Sequence, residues 1–199
     1  IYGTGDRGGN VVIRFFGHDF PGAVWRARRF IAVAALLLFA PAIYGGVWMS
    51  FSDAAVDATA PEAVRSAYIE QDFEAYYSSQ PAAQFSTEVL INNIQVSFLA
   101  YAMGIFATVG TAIVLVFNGL FVGEAAGLFH AAGEQTKFWG LILPHGLLEL
   151  TAVCVAGGAG IQLGWAMIAP GDRTRTVAVA EEGRRSVPIV VGLVLVFIV

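Results

Sequence analysis

The sequence is poor in charge and nearly free of cysteine. Asp, Glu, Lys and Arg make up 13% of its 199 residues, against roughly 25% in a soluble domain. So small a charged fraction argues against a soluble globular protein. It also excludes a disordered chain, which would be polar and charge-rich. One cysteine, Cys154, excludes an intrachain disulfide and a cysteine-based zinc site. A basic excess is missing too: 11 Lys and Arg face 15 Asp and Glu, for a net charge of −4 and a pI near 5.3. A nucleic-acid partner is therefore not expected. Neither HExxH nor GxSxG occurs, so no zinc-hydrolase or nucleophile-elbow chemistry is legible, and no metal or other cofactor is expected.

What the chain does have is apolar residues, 57% of the total, with a mean hydropathy of +0.68. These figures point to an integral membrane protein with the lipid bilayer as its main partner. The first residue is Ile1, and the apolar run 187–199 is shorter than the ~20 residues a spanning helix needs. The expectation is a fragment truncated at both ends.

Residues 1–29 form the first unit. A Gly-rich opening precedes Phe15, Phe16, Phe20 and Trp25 alternating with Arg14, Arg26, Arg28 and Arg29. This pattern predicts a cytoplasmic juxtamembrane or interfacial segment, interrupted by Pro21 as an amphipathic helix. Residues 30–199 form the transmembrane unit. Residues 30–50 carry no charge and predict a first span, kinked at Pro41, with Tyr44 and Trp48 at its far interface. Residues 51–88 form an acidic insert whose only base is Arg65, expected on the outer face.

Residues 89–117 predict a tilted second span, ended by Asn118-Gly119, a pair that tolerates positive φ. Residues 120–132 then predict a short or partly re-entrant helix. Residues 138–169 exceed one span and contain Pro144, so a broken or strongly tilted helix is expected there. The loop 170–187 holds four arginines against three acids, which places it in the cytoplasm. Glu181 and Glu182 in this loop read as a solvated face. The fold class is thus all-α, a polytopic bundle of about five membrane spans, with residues 1–29 and 170–187 on the cytoplasmic side.

Candidate functional residues are those that cost energy at membrane depth. His145 and Glu149, four apart in ILPHGLLEL, share a helix face. Antiparallel packing would bring Glu124 and His130 towards them. Asn92, Asn93 and Asn118 complete the candidate intramembrane polar core. Three readings compete: a polar clasp holding helices in register, a Glu/His proton path for transport, and a metal or hydrolytic centre. Gly119, Gly123 and Gly127, with Gly160 and Gly164, repeat at spacings that let helix backbones approach, within one chain or between copies of a homo-oligomer.

Several of these stretches carry a resemblance. Asn92-Asn93, Asn118-Gly119 followed by Gly123, ILPHGLLEL at 142–150, GGAGIQLGWA at 157–166 and PGDRTR at 170–175 resemble the stage II sporulation protein M family. RFFGHDFPGAVWRARR at 14–29 resembles the juxtamembrane approach of its long, actinobacterial-type members. The resemblance implies a helical membrane domain of about five spans. It also implies a non-catalytic role: a scaffold of an envelope or peptidoglycan-remodelling complex that recruits hydrolytic partners. The insert 51–88 would be its partner-facing surface. The alternative is a proton-coupled transporter or channel built on the Glu/His core.

Overall fold

The computed structural model describes residues 7–59 and 82–198. Every regular element among them is helical: α1 (Arg7–Arg14), α2 (Phe20–Phe51), α3 (Asp53–Thr59), α4 (Ala82–Ala102), α5 (Val109–Ala131), α6 (Gln135–Ile168) and α7 (Arg175–Ile198). A π-helical turn, Phe15–Asp19, joins α1 to α2, and a 3-10 turn, Met103–Ile105, follows α4. Three stretches are long and apolar enough to cross a bilayer: Val11–Phe51, Val109–Ala131 and Gly146–Ile168. A shorter apolar stretch, Leu90–Ile105, runs along α4. The protein is an all-α membrane protein.

Close approaches between backbones fix the direction of each helix. Built onto α5, a Cβ at Gly119 would meet the Leu38 carbonyl, one at Gly123 the Ala42 carbonyl, and one at Gly127 the Gly46 carbonyl. Both sets of numbers rise together, so α2 and α5 are parallel. Gly157 of α6 faces Leu115, and Gly164 faces Thr108, so α5 and α6 are antiparallel. Gln162 bonds to Glu182 near the short 169–174 corner, and further along Ala156 lies with Ile189 and Leu193, so α6 and α7 are antiparallel as well. Thr111 Oγ1 donates to the Ala100 carbonyl at 2.7 Å, which sets α4 against α5 as a tight hairpin.

Small side chains permit these distances and fill the core. Ala23 and Ala27 of α2 share a buried cluster with Ala152, Ala156 and Ala159 of α6 and Ile189, Leu193 and Phe197 of α7. Leu38 shares a second with Leu115, Val153 and Cys154. Along its length α2 therefore meets α7, then α6, then α5. The start of α2 lies against the C-terminal half of α7, with Phe20 beside Gly192, and α3 packs at the far end of α2 through Ala55 and Met49.

Five local expectations are corrected. Pro21 does not interrupt the N-terminal helix. The π turn shifts the bonding so that the Phe20 N–H reaches the Phe15 carbonyl, and proline takes an early position of α2, where its missing N–H costs little. Asn118-Gly119 is not a break: α5 runs through it, because Gly119 is used for contact with α2 rather than for a turn. Residues 120–132 are accordingly the second half of α5, not a separate short helix. The chain reverses earlier, after Met103–Ile105, where Ala107 (φ 50°) and Thr108 (φ 71°) adopt left-handed conformations. The expected second span, 89–117, is thus the end of α4, the reversal and the start of α5. Finally, α6 is one continuous helix past position 144.

Candidate functional site

Two of the candidate residues, on α4 and α6, meet in the interior. On α4, Asn93 is 7% exposed and its Nδ2 donates to Glu149 Oε2 of α6 at 2.5 Å; Glu149 is 6% exposed. On α5, Asn118 lies seven residues from Thr111, two helical turns, and so projects from the same face. The Ala100–Thr111 pairing sets the antiparallel register, which places residue 118 opposite residue 93. On α6, Gly160 faces Ala100 and Thr111, and Glu149, eleven residues earlier, shares that face. Asn93 and Glu149 therefore meet in an interior seam between α4 and α6, while Asn118 lies on the α5 face that carries Thr111.

Two polar groups along these helices stay unpaired. Ser97, one turn along α4 from Asn93 and 2% exposed, has its Oγ buried without a protein partner, as is Asn118 Nδ2. Each such group costs about 1–3 kcal/mol when left unpaired. Thr111 and Cys154 are also buried along these helices. Among the described residues no basic side chain forms an ion pair with Glu149.

The other expected core residues lie elsewhere. Asn92 is exposed on α4. Glu124 is half-buried and sits about 120° round α5 from Asn118, with its backbone beside Gly45 of α2. His130 is exposed, its ring 6.2 Å from that of Phe51. The side chain of His145 lies outside the described residues. Gly119, Gly123 and Gly127 pack on α2, while Gly160 and Gly164 pack on α4 and the reversal that follows it, so both glycine series make contacts within the chain.

Sequence reasoning missed Ser97 and Thr111. The spacing of Ser97 from Asn93, one helical turn, is the signal that would have found it. It also misjudged Glu182. That carboxylate is only 12% exposed, accepts from Gln162 Nε2 at 2.5 Å and stands 3.5 Å from Arg185. Its neighbour Glu181 does face solvent and pairs with Arg173 at 2.7 Å. The Arg173 hydrogen bond holds the Glu181 carboxyl below its ordinary value. Tyr101 and Ser186, 2.6 Å apart, tie α4 to α7.

A protein of Methanocaldococcus jannaschii described as uncharacterized is 38% identical over 85 residues. That match covers 42% of this chain and 48% of the relative, so the chain aligns with about half of the relative's length. No solved structure matches. The stage II sporulation protein M family, which is not a known enzyme family, matches residues 35–199. That span holds the α2–α5 glycine packing and the Asn93–Glu149 seam, and with it the chain belongs to the stage II sporulation protein M family.

Proposed function

We propose that the protein is a non-catalytic membrane scaffold that assembles with envelope proteins concerned with peptidoglycan remodelling. The observation that carries this reading is the Asn93–Glu149 pair. Its carboxylate is buried between helices and hydrogen-bonded to an amide, as a clasp holding α4 on α6 would be. A proton-coupled transporter would need an aqueous way to Glu149, whose exposure is 6%.

The partner-facing surface in this reading is the acidic insert 51–88, of which residues 60–81 lie outside the described residues. Its first turn, α3, docks on the bundle through Ala55, which packs with Met49 and Leu128. The adjoining Ala58 is exposed. The two arginine clusters support a cytoplasmic placement of residues 1–29 and 170–187.

A thiol-reactive cross-linker on Ala58→Cys, in membranes of the native cell, tests the scaffold. Recovery of a peptidoglycan hydrolase or another envelope protein is the expected result. Recovery of lipid or self-adducts alone would remove the reading. Proton or solute flux in proteoliposomes, lost in Glu149→Gln, would move the assignment to transport.

A further inference from the structure

We propose that Arg26, Arg28 and Arg29, around Trp25, bind the phosphate headgroup of an anionic phospholipid whose acyl chains lie along the outer face of α2. This goes beyond the scaffold reading and does not depend on it.

The site starts from the two faces of α2. Ala23, Ala27, Ala34 and Leu38 are buried against the bundle. The opposite face carries Trp25, Arg28, Arg29 and Leu36 at helical spacing, and all four are exposed. Val33, Phe39 and Ile43 continue that exposed surface as an apolar strip. The helix is continuous through this stretch, so Arg28 and Trp48 stand about 30 Å apart along it, the thickness of the hydrocarbon core. Trp25 and Trp48, both more than half exposed, then mark the two borders of the apolar layer. A phospholipid that rests its chains on Val33 and Leu36 brings its headgroup to the arginines.

Charge selects that headgroup. Arg26, Arg28 and Arg29 are exposed and form no ion pair among the described residues. The sequence has no acid between Asp19 and Asp53, and Asp19 is engaged by Arg14 and His18. Three guanidinium groups thus meet the headgroup layer without a counter-charge from the protein. An anionic headgroup supplies one, whereas phosphatidylcholine already carries its own cation. Arginine suits phosphate because its planar N–H groups bind the oxygens in pairs. Part of the site is also built in advance. The Arg28 guanidinium lies over the Trp25 ring, 4.6 Å from its centroid, and donates to the Trp25 carbonyl at 2.9 Å. Its plane is thereby held, with further N–H groups left for an anion.

The test is quenching of Trp25 fluorescence by lipids brominated on their acyl chains. Trp48→Phe, Trp139→Phe and Trp165→Phe, all at exposed positions, leave Trp25 as the single tryptophan of the full chain. This protein is placed in phosphatidylcholine vesicles with an equal minor fraction of brominated phosphatidylglycerol or brominated phosphatidylcholine, at constant ionic strength. Stronger quenching by the phosphatidylglycerol is expected. Each arginine near an anionic surface contributes about fivefold in affinity, so Arg26→Gln with Arg28→Gln and Arg29→Gln should erase the preference. These side chains are exposed, so the unfolding midpoint in phosphatidylcholine should stay where it was. Equal quenching by the two lipids would overturn the proposal. So would a preference that survives the triple change, or one erased instead by Arg175→Gln with Arg184→Gln, which would assign it to overall charge. Loss of the preference on adding inorganic phosphate at the same ionic strength would assign the arginines to a free anion and overturn it too.

Discussion

Asn93 and Glu149, 56 residues apart in sequence, are joined by a 2.5 Å hydrogen bond that ties the middle of α4 to α6. Tyr101–Ser186 ties the C-terminal end of α4 to α7. α4, whose apolar stretch is shorter than the three candidate spans, is held by these polar contacts as well as by packing.

The first pair sets up a double-mutant cycle. Asn93→Leu alone should destabilise by about 1–3 kcal/mol, because it leaves Glu149 without its donor. Glu149→Leu with Asn93→Leu should recover part of that loss. Interhelical hydrogen bonds contribute only about 0.6 kcal/mol, at most ~1.7, once both partners are gone. Unfolding midpoints in detergent, converted by reference to the single variants, check the coupling. Strict additivity would mean that the pair does not act as a unit.

Gly119 and Gly123 offer a steric test. A methyl at either position runs into a backbone carbonyl of α2, Leu38 or Ala42, which cannot rotate aside. Gly119→Ala and Gly123→Ala should each cost several kcal/mol, on the order of 3, and yield little folded protein. Gly140, whose added Cβ would meet nothing within 4 Å, is the control. There Gly→Ala should be neutral or stabilising by up to about 1 kcal/mol. Yield and midpoint by fluorescence-detected size exclusion read both outcomes.

The reversal after Met103–Ile105 holds Ala107 at φ 50° and Thr108 at φ 71°. Glycine occupies that region without a steric penalty. Ala107→Gly should therefore stabilise, or at worst be neutral, while Ala107→Val should lower the melting midpoint by several degrees. A loss of stability in Ala107→Gly would contradict the left-handed reversal.

Glu181 carries a pH prediction. Its carboxyl is held below the ordinary value by Arg173 in the folded protein. A depressed folded-state value means that the contribution is fully present above the unfolded carboxylate range and fades as pH falls through the lower folded value. The pair is exposed to solvent, so the effect is small. The difference in midpoint between the native chain and Glu181→Gln should be constant at neutral pH and shrink in acid. A difference that grows in acid would reverse the assignment.

The membrane class and the first span were legible from apolar run length, and Glu149 as a candidate from the cost of a carboxyl at membrane depth. The reversal at Ala107-Thr108 was not, because MGIFATVG carries no proline or asparagine and its turn is imposed by packing of Gly104 on Gly160. Asn118-Gly119 misled for the complementary reason. A glycine that serves a turn and a glycine that serves close packing are the same letter, and only the neighbour across the seam distinguishes them. The two errors offset: the break was placed about ten residues too late, so one real hairpin was read as one long span and one short one. Ser97 had only its one-turn spacing from Asn93 to mark it, because a lone serine in an apolar run is as compatible with close helix packing as with a polar role.

The parallel packing of α2 and α5 has a consequence for biogenesis. The groove on α2 around Leu38, Ala42 and Gly46 is filled by glycines that leave the ribosome about eighty residues later, several seconds at ~5–20 residues per second. Until α5 arrives that strip of backbone carbonyl oxygens meets lipid or another helix, and cross-linking from ribosome-stalled chains ending before position 119 would show which.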